Sequence, residues 1–272
     1  GFAPTQIPGC ALWLDAADVN ADGTRPASGS TLSSWKDKSG NGNHTTASSG
    51  TTTYLTSGIN TKGSVSFNST YFTGGFASTF TGTQMSCFIV ASIGSSSSQY
   101  SRLLSLGRPG VPDQDSTSTC IPFVKNAGVA QIYAVNNNVG TPTNAVTYNT
   151  SFLSRTYFTS SLIANNLNGS TTFNTVSTTA SFNITSYGLG ISTSTADASR
   201  YVGEICEILC YFGDTLTTSQ AQQIEGYLAQ KWGLASVIPA THPFGTSIAP
   251  SPQTFSPKDI DGCAVWVDAF RV

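Results

Sequence analysis

Short apolar runs, broken by clusters of Gly, Asn, Ser and Thr, recur along almost the whole chain. Cys10–Leu14, Leu32–Trp35, Val65–Phe67, Met85–Ser92, Arg102–Leu106, Ile121–Val124 and Ala130–Val135 read as strands in the first half. Thr156–Ala164, Ser170–Thr175, Tyr187–Ile191 and Val202–Phe212 continue the series. Met85–Ser92 (MSCFIVAS) is apolar at both parities, which predicts a central strand covered on both faces. Tyr201–Phe212 alternates, with Ile205, Leu209 and Tyr211 on one side and Cys206, Ile208, Cys210 and Phe212 on the other. Many short strands at turn-rich spacing predict an all-β fold, a two-sheet antiparallel jelly-roll sandwich.

One segment changes period. Thr217-Thr218-Ser219-Gln220 is a capping box, with Thr217 as N-cap and Gln220 at the third helical position. Ala221, Ile224, Leu228 and Trp232 then recur at three and four residues, and Gly233 stands where a left-handed cap ends a helix. The expectation is one amphipathic helix near the C-terminus, lying on the sandwich by that stripe. The Pro-rich stretch VIPATHPFGTSIAPSPQTFSP after it reads as an extended, semi-rigid spacer.

The chain also repeats itself. Phe255–Val272 rewrites Phe2–Val19, with Gly9/Gly262, Cys10/Cys263, Ala11/Ala264, Trp13/Trp266, Asp15/Asp268 and Ala16/Ala269 among ten identities in eighteen positions. The organisation this predicts is a module at 1–245, a Pro/Ser-rich linker at 246–258 and the start of a second, truncated copy at 259–272. Gly1 in place of an initiator Met points the same way, to a piece of a longer protein.

Composition narrows the class. Only 10% of residues are charged, against 39% hydrophobic and 11% aromatic, where soluble domains carry roughly 25% charge. The polar surface must therefore be mostly hydroxyl and amide, which suits secreted or particle-exposed β-proteins. A net charge of −2 with no Lys/Arg cluster argues against a nucleic-acid partner. No apolar run is long enough to span a membrane. The six cysteines lack CxxC spacing, and Cys206 and Cys210, about 13 Å apart along one strand at ~3.3 Å per residue, cannot pair. Most read as small buried apolar residues, the alternative being one or two disulfide bridges. Asn43, Asn68, Asn149, Asn168 and Asn183 head glycosylation sequons.

Three motifs, ALWLDAAD, SSWKDKSGNGNH and GEICEILCYFGDTLTTSQAQQIEGYLAQKWGL with PATHPF, together resemble the laminin-G-like, concanavalin A-like lectin/glucanase jelly-roll modules. Such modules occur in secreted bacterial proteins and, in tandem, in virion proteins of large DNA viruses. The motifs run from Ile7 to Phe244, so the resemblance spans the module. It implies two stacked antiparallel sheets, often a calcium ion at one edge, and work in binding or adhesion rather than catalysis.

The residues offer three candidate sites. Asp18-Val19-Asn20-Ala21-Asp22-Gly23 has oxygen ligands at alternate positions before a turn-making Gly, as a calcium loop needs. Gly29 stands where an EF-hand puts its bidentate Glu, so a calcium site here would be completed by Asp15 and Asp37 or by backbone carbonyls. The competing reading is an Asx-rich turn whose side chains cap their own backbone. In the second motif, Asn41-Gly42 predicts a type I′ hairpin, Trp35 a core anchor, and Asp37 a cap for the turn or a metal ligand. The third is the pair Glu204 and Glu207. Spaced by three in a strand, they are expected on opposite faces, unlike the paired carboxylates a glycosidase sets across a cleft. Only two histidines are present, with no GxSxG and no phosphate loop, and His242 in THPF reads as an extended tail packed on the body. Tyr54, Tyr71, Phe72, Tyr100 and Tyr148 lie in polar loop contexts and are candidate exposed stacking residues.

The function this predicts is a non-catalytic structural or adhesive module of a multi-domain surface protein, at a virion surface or extracellular. Its partners would be other copies of the module, other virion or surface proteins, or host or self glycans. The alternatives are a calcium-dependent lectin and, behind it, a hydrolase or lyase of the same fold.

Overall fold

The computed structural model describes residues 1–126, 129–193, 199–213 and 216–244. In chain order the strands are β1 (Cys10–Asp15), β2 (Thr45–Ser49), β3 (Thr53–Leu55), β4 (Ser64–Asn68), β5 (Tyr71–Gly82), β6 (Met85–Ile93), β7 (Arg102–Gly107) and β8 (Thr119–Asn126). They continue with β9 (Val129–Ile132), β10 (Val135–Asn136), β11 (Val139–Gly140), β12 (Asn144–Val146), β13 (Ser151–Phe158), β14 (Leu162–Leu167), β15 (Asn174–Ser177), β16 (Phe182–Leu189) and β17 (Val202–Phe212). Among the described residues a single α-helix, α1, spans Thr218–Trp232.

The strands form two antiparallel sheets. The first has the order β15-β14-β13-β6-β17-β4-β3 with β1 also on β17; the second runs β11-β10-β8-β7-β16-β5-β2, with β9 beside β8 and β12 beside β9. Rings from the two sheets meet in the space between. Phe158 lies 5.2 Å from Phe182, Phe212 stacks on Phe80 at 4.5 Å, and Phe67 meets Phe72 edge-on at 6.1 Å. Strand β6 is buried along its whole length, because α1 covers its other face. The all-β sandwich with one C-terminal helix expected from the apolar pattern is the fold observed.

Strand β17 is the axis of the first sheet. Its first half, Val202–Ile205, pairs with β4, and its second half, Glu207–Tyr211, pairs with β1 on the same edge. Where it exchanges one neighbour for the other, the ladder to β6 slips: Ile205 opposes Ala91 but Glu207 opposes Val90. Cys206 is the extra residue of this β-bulge. A bulge resets alternation, so Ile205 shares the inner face with Ile208, Cys210 and Phe212. The simple alternation, which put Ile205 with Leu209 and Tyr211, fails there.

Helix α1 starts as its sequence dictates. Thr217 Oγ1 accepts the Gln220 backbone N–H at 3.2 Å, and Gln220 Oε1 accepts the Thr217 N–H at 2.9 Å. Gly233, at φ 72°, closes the helix. Ala221, Ile224, Leu228 and Trp232 are buried, each large one contributing roughly 1.5–3 kcal/mol by leaving water. The tail then folds back: His242 is buried with Nε2 3.2 Å from Glu225 Oε2. Phe244 lies on Gly226, where a Cβ would sit 2.3 Å from the Phe244 Cβ.

Several local expectations are corrected. Leu32–Trp35 is not a strand, although Leu32 and Trp35 are buried; only isolated bridges at Thr31–Thr53 and Leu14–Asp37 flank it. Thr156–Ala164 straddles the turn between β13 and β14. Asn41-Gly42 makes no type I′ turn, since Gly40 and Gly42 have positive φ and Asn41 does not. Tyr54 and Phe72 are buried core rings; Tyr71 and Tyr148 are half-buried, and Tyr100 is 49% exposed. The five described cysteines are free thiols, and all but half-buried Cys10 are buried. The second copy at 259–272 and the linker at 246–258 lie outside the described residues. No described helix is long and apolar enough to cross a membrane.

Candidate functional site

β1 ends by delivering Asp15 to the edge of β17, opposite Glu207. Asp15 Oδ1 caps the short 3-10 turn Ala16–Asp18 by accepting the Ala17 N–H at 2.9 Å. The Gly-rich turn after Trp35 wraps around Asp37. Asp37 Oδ1 accepts the N–H groups of Trp13 and Ser39, and Oδ2 accepts Ser39 Oγ and the Asn43 N–H, all within 2.7–2.9 Å. The turn therefore presents Lys38, and the last turn of α1 presents Lys231, to the carboxylates of β1 and β17.

These two lysines organise the site. Lys231 Nζ lies 2.7 Å from Asp15 Oδ1 and 2.8 Å from Glu207 Oε2. Lys38 Nζ lies 2.9 Å from both Asp15 Oδ2 and Asp18 Oδ2, and 4.5 Å from the centre of the Trp13 ring. Glu207 is fully buried. Besides Lys231 it accepts Trp13 Nε1 at 2.6 Å, Trp232 Nε1 at 2.5 Å and Tyr227 OH at 2.9 Å. Burial pushes its carboxyl above the ordinary range and the Asp15 charge adds to this; Lys231 and the indole N–H pull the other way without cancelling it. Burial also lowers the Lys38 ammonium, but Asp15 and Asp18 outweigh it and leave Lys38 raised.

The loop read as a calcium site is thus an ion-paired Asx turn. Asp18 Oδ1 accepts the N–H groups of Asp22 and Gly23 at 3.1 and 2.9 Å. Asp22 Oδ1 accepts both the N–H and the hydroxyl of Thr24, and Asn20 Nδ2 donates to Thr24 Oγ1. Asp15, Asp18, Asn20, Asp22 and Asp37 do not fit a calcium ion, because the oxygens of Asp15, Asp18 and Asp37 already face N–H, O–H and ammonium donors. That leaves Asn20 and Asp22 far short of the roughly six to eight oxygens calcium takes. Two lysines supply the positive charge a metal would bring. No group of three or more metal-ligating side chains occurs among the described residues. Lys38 and Lys231 were the residues sequence reasoning missed; both stand in the quoted motifs, Lys38 next to Asp37 in KDKSG and Lys231 in the last turn of the helix in AQKW.

The bulge also moves the Glu pair. Glu204 opposes Ser92 and Glu207 opposes Val90, two residues apart on β6, so Glu204 and Glu207 project from one face rather than opposite ones. They do not work as a catalytic pair, since Glu207 lies under α1 with four donors. Glu204 instead borders a small open pocket with Ser92 and Ser151. A second cleft of about 400 Å³ lies at the open end of the sandwich, between Cys10, Asn41 and the rings of Phe76, Phe80 and Phe212.

No protein-family model matches the chain, and no curated protein does. Solved structures do resemble it. A GH54 α-L-arabinofuranosidase soaked with a cyclic sulfate inhibitor superposes with a TM-score of 0.56 at 11% identity, covering 80% of this chain and 58% of that one. This chain thus spans little over half of that enzyme. Domain 4 of AbnA, an extracellular GH43 arabinanase from Geobacillus stearothermophilus in complex with arabinotriose, gives 0.45 at 14% identity over 71% of this chain and 97% of that one. The Ruminococcus gnavus IT-sialidase CBM40 bound to α2,3-sialyllactose gives 0.39 at 18% identity over 51% and 80%. At such identities the likeness is one of fold alone: this chain is a concanavalin A-like two-sheet sandwich.

Proposed function

We propose that the chain is a non-catalytic structural or attachment module of a multi-module surface protein. The observation that carries this is how the described carboxylates are used. Asp15, Asp18 and Glu207 are bound to lysines, Asp113 to Arg102 and Glu225 to His242, while Asp37 holds three donors from its own turn and the Trp13 N–H of β1. A general acid and nucleophile pair needs two carboxyls that reach substrate; Glu207 is sealed beneath α1, and Glu204 lines its open pocket with no second carboxylate. The hydroxyl- and amide-rich surface and the repeated opening motif support contact with copies of the module or with neighbouring surface proteins, in the finer form of this reading those of a virion.

The test is hydrolysis of plant and animal polysaccharides and of 4-nitrophenyl glycosides. The reading expects no product above a buffer blank; turnover abolished by Glu204→Gln or Glu207→Gln would overturn it. A second reading, glycan binding without calcium, is favoured by the cleft of about 400 Å³ lined by the half-buried rings of Phe76, Phe80 and Phe212 together with Asn41 and Asn43, the mix of aromatic and amide groups that sugar sites use. A glycan array probed with and without chelator tests it: the same hits in both arms support it, and a blank array removes it.

A further inference from the structure

Helix α1 leaves part of the outer face of the first sheet open. Beyond its last turn, one polar row crosses three strands. Ser151 in β13 is registered with Ser92 in β6, and Ser92 with Glu204 in β17, so their side chains share a face. They border a pocket of about 220 Å³, completed by Ile59, Asn60 and Asn149.

Two observations mark this pocket as built for a ligand. Ser92 is only 8% exposed, and its hydroxyl, open to the pocket, has no hydrogen-bond partner among the described residues. Glu204 carries one donor, Ser64 Oγ at 2.6 Å from Oε2, and no described cation is paired with it. Asp15, Asp18, Asp113, Glu207 and Glu225 each have a cationic partner, and Asp22 and Asp37 each hold several donors. Gly58 keeps this arrangement close-packed, since a Cβ there would sit 2.3 Å from Glu204 Oε2. The pocket also lies at the carbonyl end of α1, where Asn60 Nδ2 donates to the Trp232 carbonyl at 2.8 Å, so the helix dipole adds negative potential.

The missing partner must therefore be positive and rich in N–H donors. A divalent metal fits poorly, with one carboxylate to hold it. A guanidinium fits poorly, because its flat fork wants both carboxylate oxygens and Ser64 already occupies one. A primary ammonium carries one charge and three donors, matching the carboxylate and two hydroxyls. The pocket, about 220 Å³, is wider than an alkyl chain and is lined by the polar residues Asn60 and Asn149 as well. Asn60 Nδ2 donates to Ser151 Oγ at 3.1 Å, which leaves that hydroxyl a second lone pair for an ammonium. We propose that it binds the free amine of an amino sugar, with Glu204 as counter-ion and Ser92 and Ser151 as hydroxyl acceptors.

The experiment is an NMR titration of the isotopically labelled chain, at mildly acidic pH, with glucosamine, N-acetylglucosamine, glucose and Nα-acetyl-lysine amide. Glucosamine is expected to shift the amides of Ser92, Ser151, Gly203 and Glu204 saturably. N-acetylglucosamine and glucose should bind about tenfold or more weakly, because the charge-assisted bond is lost. Glu204→Gln should weaken glucosamine by a similar factor, and Ser92→Ala by severalfold. Should Glu204→Gln fail to fold, Ser92→Ala and the acetylated sugar carry the test. Equal binding of neutral sugars, or no saturable shift, overturns the proposal. The lysine derivative binding as tightly as glucosamine overturns the sugar assignment in favour of a peptide amine. None of these outcomes bears on the hydrolysis test, so the scaffold reading stands or falls separately.

Discussion

Glu204 and Glu207 stand three residues apart on one strand and project from the same face, because the Cys206 bulge lies between them. The bulge sits where β17 leaves β4 for β1, and it turns Glu207 under α1 while leaving Glu204 at an open pocket. One irregularity thus separates a structural carboxylate from an available one.

Glu207 is the hub of that structural half. Replacing it with Ala leaves Lys231 and two indole N–H groups without their shared acceptor in a buried place. Loss of one partner of a buried ion pair costs about 3–5 kcal/mol, and urea unfolding should show a loss of that size. A change below about 1 kcal/mol, the range of exposed pairs, would contradict the burial and bonding described.

Trp13 and Trp232 donate to different oxygens of Glu207, Oε1 and Oε2. Trp→Phe at either position removes a donor and should cost about 1–3 kcal/mol. Because the two oxygens belong to one carboxylate, the double variant should depart from additivity by more than about 0.5 kcal/mol. Strict additivity in a double-mutant cycle would show that the two indoles are not coupled.

Gly226 tests the packing of the tail. Gly→Ala inside a helix normally stabilises by roughly 1 kcal/mol. Here the new Cβ meets Phe244 at 2.3 Å, so Gly226→Ala should instead lower the thermal midpoint and speed protease cleavage near His242. A stabilised variant with an unchanged cleavage pattern would place Phe244 elsewhere.

The lysine pairing has a pH signature. The Asp18 carboxyl is held below its ordinary value of 3.8: its burial is outweighed by Lys38 and by the N–H groups of Gly23 and Asp22. A carboxyl lowered by folding contributes stability above its unfolded pKa and loses it as pH falls through the folded one. Lys38, raised from 10.5, contributes below that value and loses its contribution as pH rises beyond it. Asp18→Asn should therefore cost roughly 1 kcal/mol near neutrality, a gap that closes in acid. A gap independent of pH would show that the ion pair does not form.

What was legible in the sequence were features written in local code. The capping box, the 3.6-residue stripe and Gly233 specify α1 without help from the rest of the chain, and the unbroken apolar run of Met85–Ser92 announces a strand covered twice. The bulge at Cys206 was not legible, because alternation reports parity and not the point where a strand changes neighbours. Tyr54 looked exposed in its Thr-rich setting, yet Gly63 leaves room for its hydroxyl, where a Cβ would come within 2.5 Å. The acidic loop Asp18–Asp22 offered the oxygen pattern of a cation site, and the cation is supplied from afar in sequence, by Lys38 and, through Asp15, by Lys231. Such long-range neutralisation leaves no spacing signal, which is why the acids were visible and their partners were not.

The account rests on those two ammonium groups taking the place of a metal, and calcium addition tests it most directly. Thermal unfolding in chelator and in excess calcium should give the same midpoint. A true site at 100-fold excess over its dissociation constant would add about 2.7 kcal/mol, or roughly 5–10 °C for a domain of this size. A saturable rise of that order, lost in Asp18→Asn or Asp22→Asn, would contradict the account.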